Sequence, residues 1–272
     1  MSEKLAVHPR VSINQVCFAG ASLPEFLKKA HALGARRIGF NSPSLLTAGG
    51  AKEAAQSAGS GLSVETICHP FAASLDQDCA QARDTLSELI AIGATLGTQS
   101  IYLLTGGRGS LDWEQAADRF VEALAPCRAA ARAAGFPLMI ENASALYADL
   151  HIAHSLADTI RLAEMAEIGV CIELFHCWAE ASIEELFERA MPRCHLVQVS
   201  DYVLGDRALP NRAVPGDGAI PLERLIRLLL EHGYDGTFDI ELIGPRIDAE
   251  GHFAATHRAV QRLSEILAKL GA

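Results

Sequence analysis

Short apolar runs that alternate with longer amphipathic segments constrain the fold of this chain most strongly. Eight runs are rich in Val, Ile, Leu and Phe: Val11–Phe18, Arg36–Phe40, Leu62–Cys68, Ser100–Thr105, Phe136–Glu141, Gly169–Leu174, His195–Ser200 and Thr237–Leu242. Most of them lack strict polar alternation, which is typical of strands that are covered on both faces. Helical periodicity fills the gaps between them. This rhythm of strand and helix predicts an α/β fold with a parallel sheet.

Eight strand–helix units predict a (β/α)8 TIM barrel, and a chain of 272 residues suits the usual ~250 of that fold. No Pro/Ser-rich linker or shift of composition divides the chain, so residues 1–272 are expected to form a single barrel domain. A doubly wound open sheet is the alternative. It more often has about five or six strands and a Gly-rich first turn, and no GxGxxG pattern follows the first strand here.

Local capping signals predict where several helices begin. Three pairs have the spacing of a capping box: Ser22 with Glu25, Asp112 with Gln115, and Ser182 with Glu185. Asp76 is expected to cap the helix that runs towards Leu96. Pro126 lies inside the helix predicted after Asp112 and is expected to kink or break it.

Charge and cysteine usage exclude several classes of protein. The formal net charge is -10, whereas a nucleic-acid binder usually carries a basic face, so no nucleic-acid partner is expected. The seven cysteines are odd in number and form no CxxC pair, which argues against a disulfide framework and suits a reducing cytosol. The first ten residues, MSEKLAVHPR, contain no apolar signal segment, and no uncharged run approaches the ~20 residues of a membrane span. A cytoplasmic protein with no membrane partner is predicted.

Four successive predicted strands carry an oxygen-bearing side chain near their carboxyl ends: Glu141, Glu173, Gln198 and Glu241. Catalytic residues of a TIM barrel lie at that end of the strands. Three carboxylates that converge there would repel one another, and a divalent cation would remove the repulsion. Oxygen ligands favour Mg²⁺ or Mn²⁺ over Zn²⁺. The four residues are therefore the predicted metal ligands, each of which taken singly would be an ordinary salt-bridged or buried polar residue.

These residues resemble the sugar phosphate isomerase/epimerase superfamily, also called the xylose isomerase-like TIM barrels. The resemblance covers nearly the whole chain and includes the segments QVSDY and RAVPGDG, at and after the seventh strand. Glu141, Gln198 and Glu241 stand at positions of the family's metal ligands. Glu173 stands where the family usually has Asp, and His176 follows it by three residues, as in the family. The longer Glu implies a shifted ion or a changed metal affinity.

The resemblance implies a divalent-metal-dependent isomerase or epimerase that acts on a keto-sugar or a related polyol-derived hydroxy-carbonyl compound through an enediolate. Glu141 and Glu241 inherit the acid/base roles, and His176 would bind a substrate oxygen. His69 and Arg212 match substrate-contacting positions of relatives, with Arg207 a competitor for the role of Arg212. Further residues at strand ends are expected to line the pocket: Asn41, Asn142, Trp178 and Asp201. Relatives are often dimers or tetramers, so a homo-oligomer is possible.

Three other functions stay open at this point. A metal-dependent dehydratase or lyase, of the inosose or dehydroshikimate type, would expel a hydroxyl from the same enolate. An endonuclease IV-like repair nuclease needs a His-rich site, but YLLTGG offers no His and Gln198 replaces one. A non-catalytic barrel has only the departure at Glu173 to support it. The residues do not separate isomerase, epimerase and dehydratase, and they do not identify the substrate.

Overall fold

Eight parallel strands close into one barrel, in the order β1 to β8. The computed structural model describes residues 6–58 and 61–272. The strands are Val11–Asn14 (β1), Arg37–Asn41 (β2), Ser63–Pro70 (β3), Ile101–Leu104 (β4), Leu138–Glu141 (β5), Gly169–Glu173 (β6), Cys194–Val199 (β7) and Thr237–Ile240 (β8). The predicted (β/α)8 TIM barrel is therefore confirmed.

Helices lie between successive strands. They are Leu23–Ala32 (α1), Ser42–Leu45 (α2), Gly50–Ala58 (α3), Ala80–Leu96 (α4), Trp113–Ala134 (α5), Leu156–Ala166 (α6), Leu174–Cys177 (α7), Ile183–Ala190 (α8), Leu222–Glu231 (α9), Pro245–Glu250 (α10) and His252–Leu270 (α11). Each of the longer helices buries one apolar stripe against the strands, for example through Leu86 and Leu89 of α4 and Phe120 of α5. The main apolar core is therefore the layer between the strands and the helices.

Two of the three predicted capping boxes are present. Ser22 with Glu25 begins α1, and Asp112 with Gln115 begins α5. The third is wrong, because Ser182 has left-handed backbone angles (φ 53°) and its side chain caps nothing in α8. An N-cap residue needs extended backbone angles for its oxygen to reach back to the first turn.

The structure also corrects two predictions about where helices begin and end. Asp76 does not cap a helix, because α4 begins only at Ala80. Its carboxylate instead accepts hydrogen bonds from the hydroxyl of Ser74 and the backbone N–H of Ser110, which joins the loops after β3 and β4. Pro126 does not break the helix, since α5 continues through it as far as Ala134, and the kink stays a prediction.

The first and last strands are shorter than predicted. The run predicted as far as Phe18 leaves the sheet after Asn14, because the Asn14 side chain accepts a hydrogen bond from the Val16 N–H (3.0 Å) and starts a 3₁₀ turn. β8 ends at Ile240, and the N–H of Glu241 then donates to the carbonyl of Val199 (3.2 Å). Asn14 and Glu241 are thereby held at the carboxyl rim of the barrel.

The barrel interior contains a small cluster of its own. Tyr102, Met139, Cys171 and Leu196 are all buried there and come from four strands. All seven cysteines are free, in agreement with the predicted lack of a disulfide framework. Among residues 6–58 and 61–272, no helix combines the length and the apolar character needed to span a bilayer.

Candidate active site

A cavity of about 430 Å³ opens at the carboxyl ends of the strands. Its polar lining includes Asn14, Asn41, Tyr102, Glu141, His176, Arg212 and Glu241. Its size suits a small organic ligand, and this is the end of a TIM barrel where chemistry takes place. A second cavity of about 400 Å³ lies at the amino ends of β6 and β7, beside Gly169 and His195. That end of the fold usually serves stability, so the first cavity is the candidate site.

Glu173, at the end of β6, is only 1% exposed and contacts the cavity through Arg212, which lines it. Its backbone is fixed by the Asn142 amide, which donates to the Glu173 carbonyl and accepts from the Glu173 N–H, both at 2.9 Å. One carboxylate oxygen accepts from the N–H of Phe175 (3.0 Å) and so caps α7. The other accepts from Nη2 of Arg212 (2.9 Å). Both oxygens of Glu173 are therefore engaged.

Arg212 comes from the loop after β7, and the residue is 4% exposed. Nη2 lies 2.9 Å from Glu173 and 3.9 Å from Oε1 of Glu241. The guanidinium carbon lies 3.8 Å from the centroid of the Phe175 ring, a cation–π contact. Burial alone would lower the pKa of Arg212, but the charges of Glu173, Glu241 and Glu141 outweigh it and raise that pKa. The guanidinium is therefore held by the carboxylates at strand ends.

Gln198 links Glu241 to the barrel interior. Its amide nitrogen donates to Oε2 of Glu241 (2.6 Å) and to the hydroxyl of Tyr102 (3.1 Å). Its amide oxygen accepts from the thiol of Cys171 (3.2 Å). The Tyr102 hydroxyl also accepts from the Asn14 amide (3.3 Å), so one phenol connects β1, β4 and β7. Gln198 thus presents its donor end, not its oxygen, to Glu241.

Glu141 and Glu241 share a strongly perturbed electrostatic environment. Burial raises the pKa of Glu241 to about 8, and the nearby charge of Glu173 adds to the effect. Burial, together with the charges of Glu241 and Glu173, raises the pKa of Glu141 well above its ordinary value. A raised pKa brings a carboxyl closer to the working pH, where it can both accept and donate a proton more readily than an ordinary surface Glu.

His176 lies on α7, one turn away from Glu173. Burial, and then the charge of Arg212, lower the pKa of this imidazole well below its ordinary value. Nη2 of Arg212 donates to Nε2 of His176 (3.2 Å), which leaves the other ring nitrogen as the N–H. The ring is therefore a neutral hydrogen-bonding group beside the cavity.

The predicted ligand set fits a hard divalent cation by donor type, since it consists of three carboxylates and an amide from adjacent strands. Among the residues that the structure describes, however, no three His, Cys, Asp or Glu side chains are already arranged to hold a metal ion. Two contacts bear on metal binding here. The Arg212 guanidinium is bound to Glu173, and the nitrogen of Gln198 faces Glu241.

The predicted substrate-contacting residues divide into two groups. Asn41 and Arg212 line the cavity, as does His176. His69 points to the other face of β3: its Nδ1 lies 2.8 Å from the Ser42 hydroxyl, while its chain neighbours Cys68 and Pro70 line the cavity. Trp178 packs near Tyr202, with ring centroids 6.5 Å apart, and does not line the cavity. Alternation along β3 is the signal that separates His69 from its neighbours.

Asp201 organises the loop that carries Arg212. Its carboxylate accepts four backbone N–H bonds at 2.8–3.0 Å, from Tyr202, Gly216, Gly218 and Ile220. A Cβ at Gly218 would collide with the Asp201 carboxylate and the Tyr202 carbonyl, so this position requires glycine. Asp201 therefore shapes the loop and leaves the contact with the cavity to Arg212.

Asn14 and Tyr102 are site residues that the sequence did not indicate. Asn14 donates to the Asp239 carboxylate (2.9 Å) as well as to Tyr102, inside the barrel. Burial raises the pKa of Asp239 to about 7. In the sequence, only the position of these two residues could have indicated a role in the site. Both lie in strands and face the barrel interior, where a polar side chain must find a partner.

Comparison with known proteins agrees with the geometry. A sequence model of the family described as xylose isomerase-like TIM barrel matches residues 27–267. An inosose isomerase from Halalkalibacterium halodurans is 32% identical over 82 residues, which make up 29% of either chain. The chain thus matches well under two thirds of that relative's length.

Two solved structures are similar over almost their full length. One is an IolI protein with a bound zinc atom, with 15% identity and a TM-score of 0.80 over 96% of this chain and 99% of that one. The other is a D-psicose 3-epimerase with D-tagatose from Clostridium cellulolyticum H10, with 16% identity and a TM-score of 0.79 over the same shares. At these identities the likeness concerns the fold.

Proposed function

Because the chain belongs to the xylose isomerase-like TIM barrel family, we propose that it is a divalent-cation-dependent isomerase or epimerase of a small hydroxy-carbonyl compound. A keto-sugar or polyol-derived substrate agrees with the epimerase and the inosose isomerase among its relatives. The observation that carries the proposal is the convergence of Glu141 and Glu241 on one cavity, each with a raised pKa.

Glu141 and Glu241 are the proposed acid/base pair. Burial raises the pKa of both carboxyls in the metal-free site, to about 8 for Glu241, and the charge of a bound cation would favour their ionised forms. The ionised carboxylate takes a proton from the carbon beside the substrate carbonyl, and the protonated one returns a proton elsewhere on the enediolate. The hydrogen bond from Gln198 holds the Glu241 carboxylate in one orientation for this transfer.

The proposed cation ligands are Glu141, Glu173, Gln198 and Glu241, with Mn²⁺ or Mg²⁺ favoured by the oxygen donors. When bound, such an ion polarises the carbonyl as a Lewis acid and stabilises the negative charge that develops on the adjacent oxygens. The neutral His176 ring lines the cavity, where it is placed to bind a substrate oxygen, and Arg212 lines it as well. The apolar part of the lining, such as Val16, Leu104 and Ile243, limits the access of water to the reacting carbon.

The test is solvent exchange followed by NMR. The purified protein with Mn²⁺ is incubated in D₂O with keto-sugars, inososes and dehydroshikimate, and deuterium is expected at the carbon beside the carbonyl of the true substrate. Glu241→Gln should abolish exchange while the circular dichroism spectrum is kept, because the amide cannot carry the proton. Glu231→Gln, at an exposed site on α9, is the matched control. Exchange by Glu241→Gln at the wild-type rate would refute the acid/base assignment. Conversion of the substrate to a product that is one water molecule smaller would identify a dehydratase instead.

A further inference from the structure

The guanidinium of Arg212 occupies the place of a cation among the strand-end carboxylates. Its Nη2 bonds to Glu173 and approaches Glu241, and the charge of Glu141 also acts on it. Three carboxylates would repel one another in a buried site, and one built-in positive charge reduces that repulsion. The structure therefore contains a cation in this site that belongs to the chain itself.

This guanidinium is only partly satisfied where it lies. Among residues 6–58 and 61–272, the buried Nε and Nη1 have no hydrogen-bond partner, and only Nη2 contacts a carboxylate. A buried donor without a partner is unfavourable. The position is thus held by charge and not by a complete set of hydrogen bonds, and the unused N–H groups belong to a side chain that lines the cavity.

We propose that Arg212 and a divalent cation compete for Glu173, so that the guanidinium neutralises the site in the absence of the ion and leaves Glu173 when the ion binds. The inference rests on the proposed function, because it concerns the same cation. Only the side chain has to move, since the Arg212 N–H is anchored on the carbonyl of Ile243 (3.1 Å) and the next residue, Ala213, pairs with Asp201. The released N–H groups are then free for substrate oxygens.

The length of the side chain at position 173 matters for the same competition. Glu173 reaches from the end of β6 to the guanidinium at 2.9 Å while its other oxygen caps α7. An Asp would be one methylene shorter and could not keep both contacts from the same backbone. The Glu that departs from the family pattern is therefore the residue that lets Arg212 pair with this strand end.

Isothermal titration with Mn²⁺ tests the competition. Arg212→Gln removes the competing charge and should bind Mn²⁺ at least ~10-fold more tightly than the wild type, a gain of about 1.4 kcal/mol. Arg207→Gln makes the same change of charge at an exposed position of the same loop and should leave the affinity unaltered. Equal affinity of wild type and Arg212→Gln, or weaker binding by the variant, would overturn the competition and leave the proposed function standing.

A double-mutant cycle separates competition from simple charge repulsion. If Arg212 acts by occupying Glu173, its removal should change Mn²⁺ affinity by no more than ~3-fold in a Glu173→Gln background, within the usual scatter of additive effects. If the full gain persists there, the effect is long-range repulsion and the proposal is wrong.

Thermal unfolding supplies a readout that needs no substrate. Without metal, Arg212→Gln should melt below the wild type because its carboxylates are no longer neutralised, and Mn²⁺ should raise its melting temperature more than that of the wild type. Arg212→Lys keeps the positive charge without the planar guanidinium and replaces the Gln variant if that variant does not fold. Its melting temperature without metal, and the rise that Mn²⁺ causes, should lie between those of the wild type and Arg212→Gln. A larger Mn²⁺ shift in the wild type than in both variants would contradict the proposal. Failure of every protein to bind Mn²⁺ would overturn the cation dependence of the proposed function as well.

Discussion

Acidification should destabilise this fold through one buried imidazole, that of His151. The ring lies between the ends of β4 and β5 and is 1% exposed. Its Nδ1 accepts from the N–H of Thr105 (3.0 Å), and its Nε2 lies 2.8 Å from the carbonyl of Glu141. Because a carbonyl only accepts, the proton of the neutral ring is on Nε2. A second proton would have to sit on Nδ1, where it would face the Thr105 N–H.

The size of the effect follows from the pKa. Burial lowers the pKa of His151 from the model-peptide value of 6.5 to about 4 in the folded protein. The folded state therefore binds this proton less readily than the unfolded chain, and the free energy of unfolding falls as the pH drops from about 6.5 towards about 4. At ~1.36 kcal/mol per pH unit the full loss is about 3 kcal/mol, and about 2 kcal/mol is already lost at pH ~5.

Urea denaturation of the wild type and of His151→Gln at a series of pH values measures this loss. The Gln side chain offers a carbonyl acceptor and an NH₂ donor but does not titrate. The wild type should therefore lose about 2 kcal/mol of unfolding free energy relative to His151→Gln between pH ~7.5 and pH ~5. Burial also lowers the pKa of His69 to about 4, but that residue is present in both proteins and cancels. His31→Gln, at an exposed position, is the control. Parallel pH profiles for wild type and His151→Gln would refute the reasoning.

Two further substitutions test the frame of the site. Asp201→Asn should lower the free energy of unfolding by about 2–4 kcal/mol, because the new amide N–H₂ would face two of the four backbone donors and leave them unpaired. Urea denaturation measures this loss against that of the exposed control Asp118→Asn. A loss no greater than that of the control would contradict the role of Asp201 in holding the loop. Glu173→Asp should loosen the pair with Arg212 and strengthen Mn²⁺ binding by at least ~10-fold in a calorimetric titration; a variant that bound no metal would instead mean that the site is built around the longer side chain.

The rim of the barrel was predictable because of its topology. Parallel strands end on one side, so any residue at the carboxyl end of a predicted strand had to lie near the others, whatever the details of packing. Glu141, Glu173 and Gln198 follow that logic, and Glu241 does so although β8 ends one residue earlier. Errors of a few residues at strand ends, such as the turn that follows Asn14, do not disturb it.

The contacts within the site were not predictable in the same way. The reach of Arg212 into the carboxylates depends on the loop shape that Asp201 imposes through backbone N–H groups up to 19 residues away in sequence. The orientation of His69 depends on which residues of β3 face inward. Because β3 is buried on both faces, alternation separates His69 from its chain neighbours but does not show which of the two faces is the inner one. The neighbours of Tyr102 come from β1 and β7, which only the closed barrel brings together.

The frame that Asp201 builds also bears on how new specificities could arise in this protein. The loop after β7 keeps its course through backbone bonds to one carboxylate, and Gly218 is fixed by the same contact. The residue that faces the cavity, Arg212, takes no part in that network through its side chain. Its side chain can therefore vary without breaking the backbone bonds of the loop. Directed evolution that randomises position 212 and keeps Asp201 and Gly218 should retain the loop and alter the ligand preference, with a lower melting temperature wherever the strand-end carboxylates lose their positive partner.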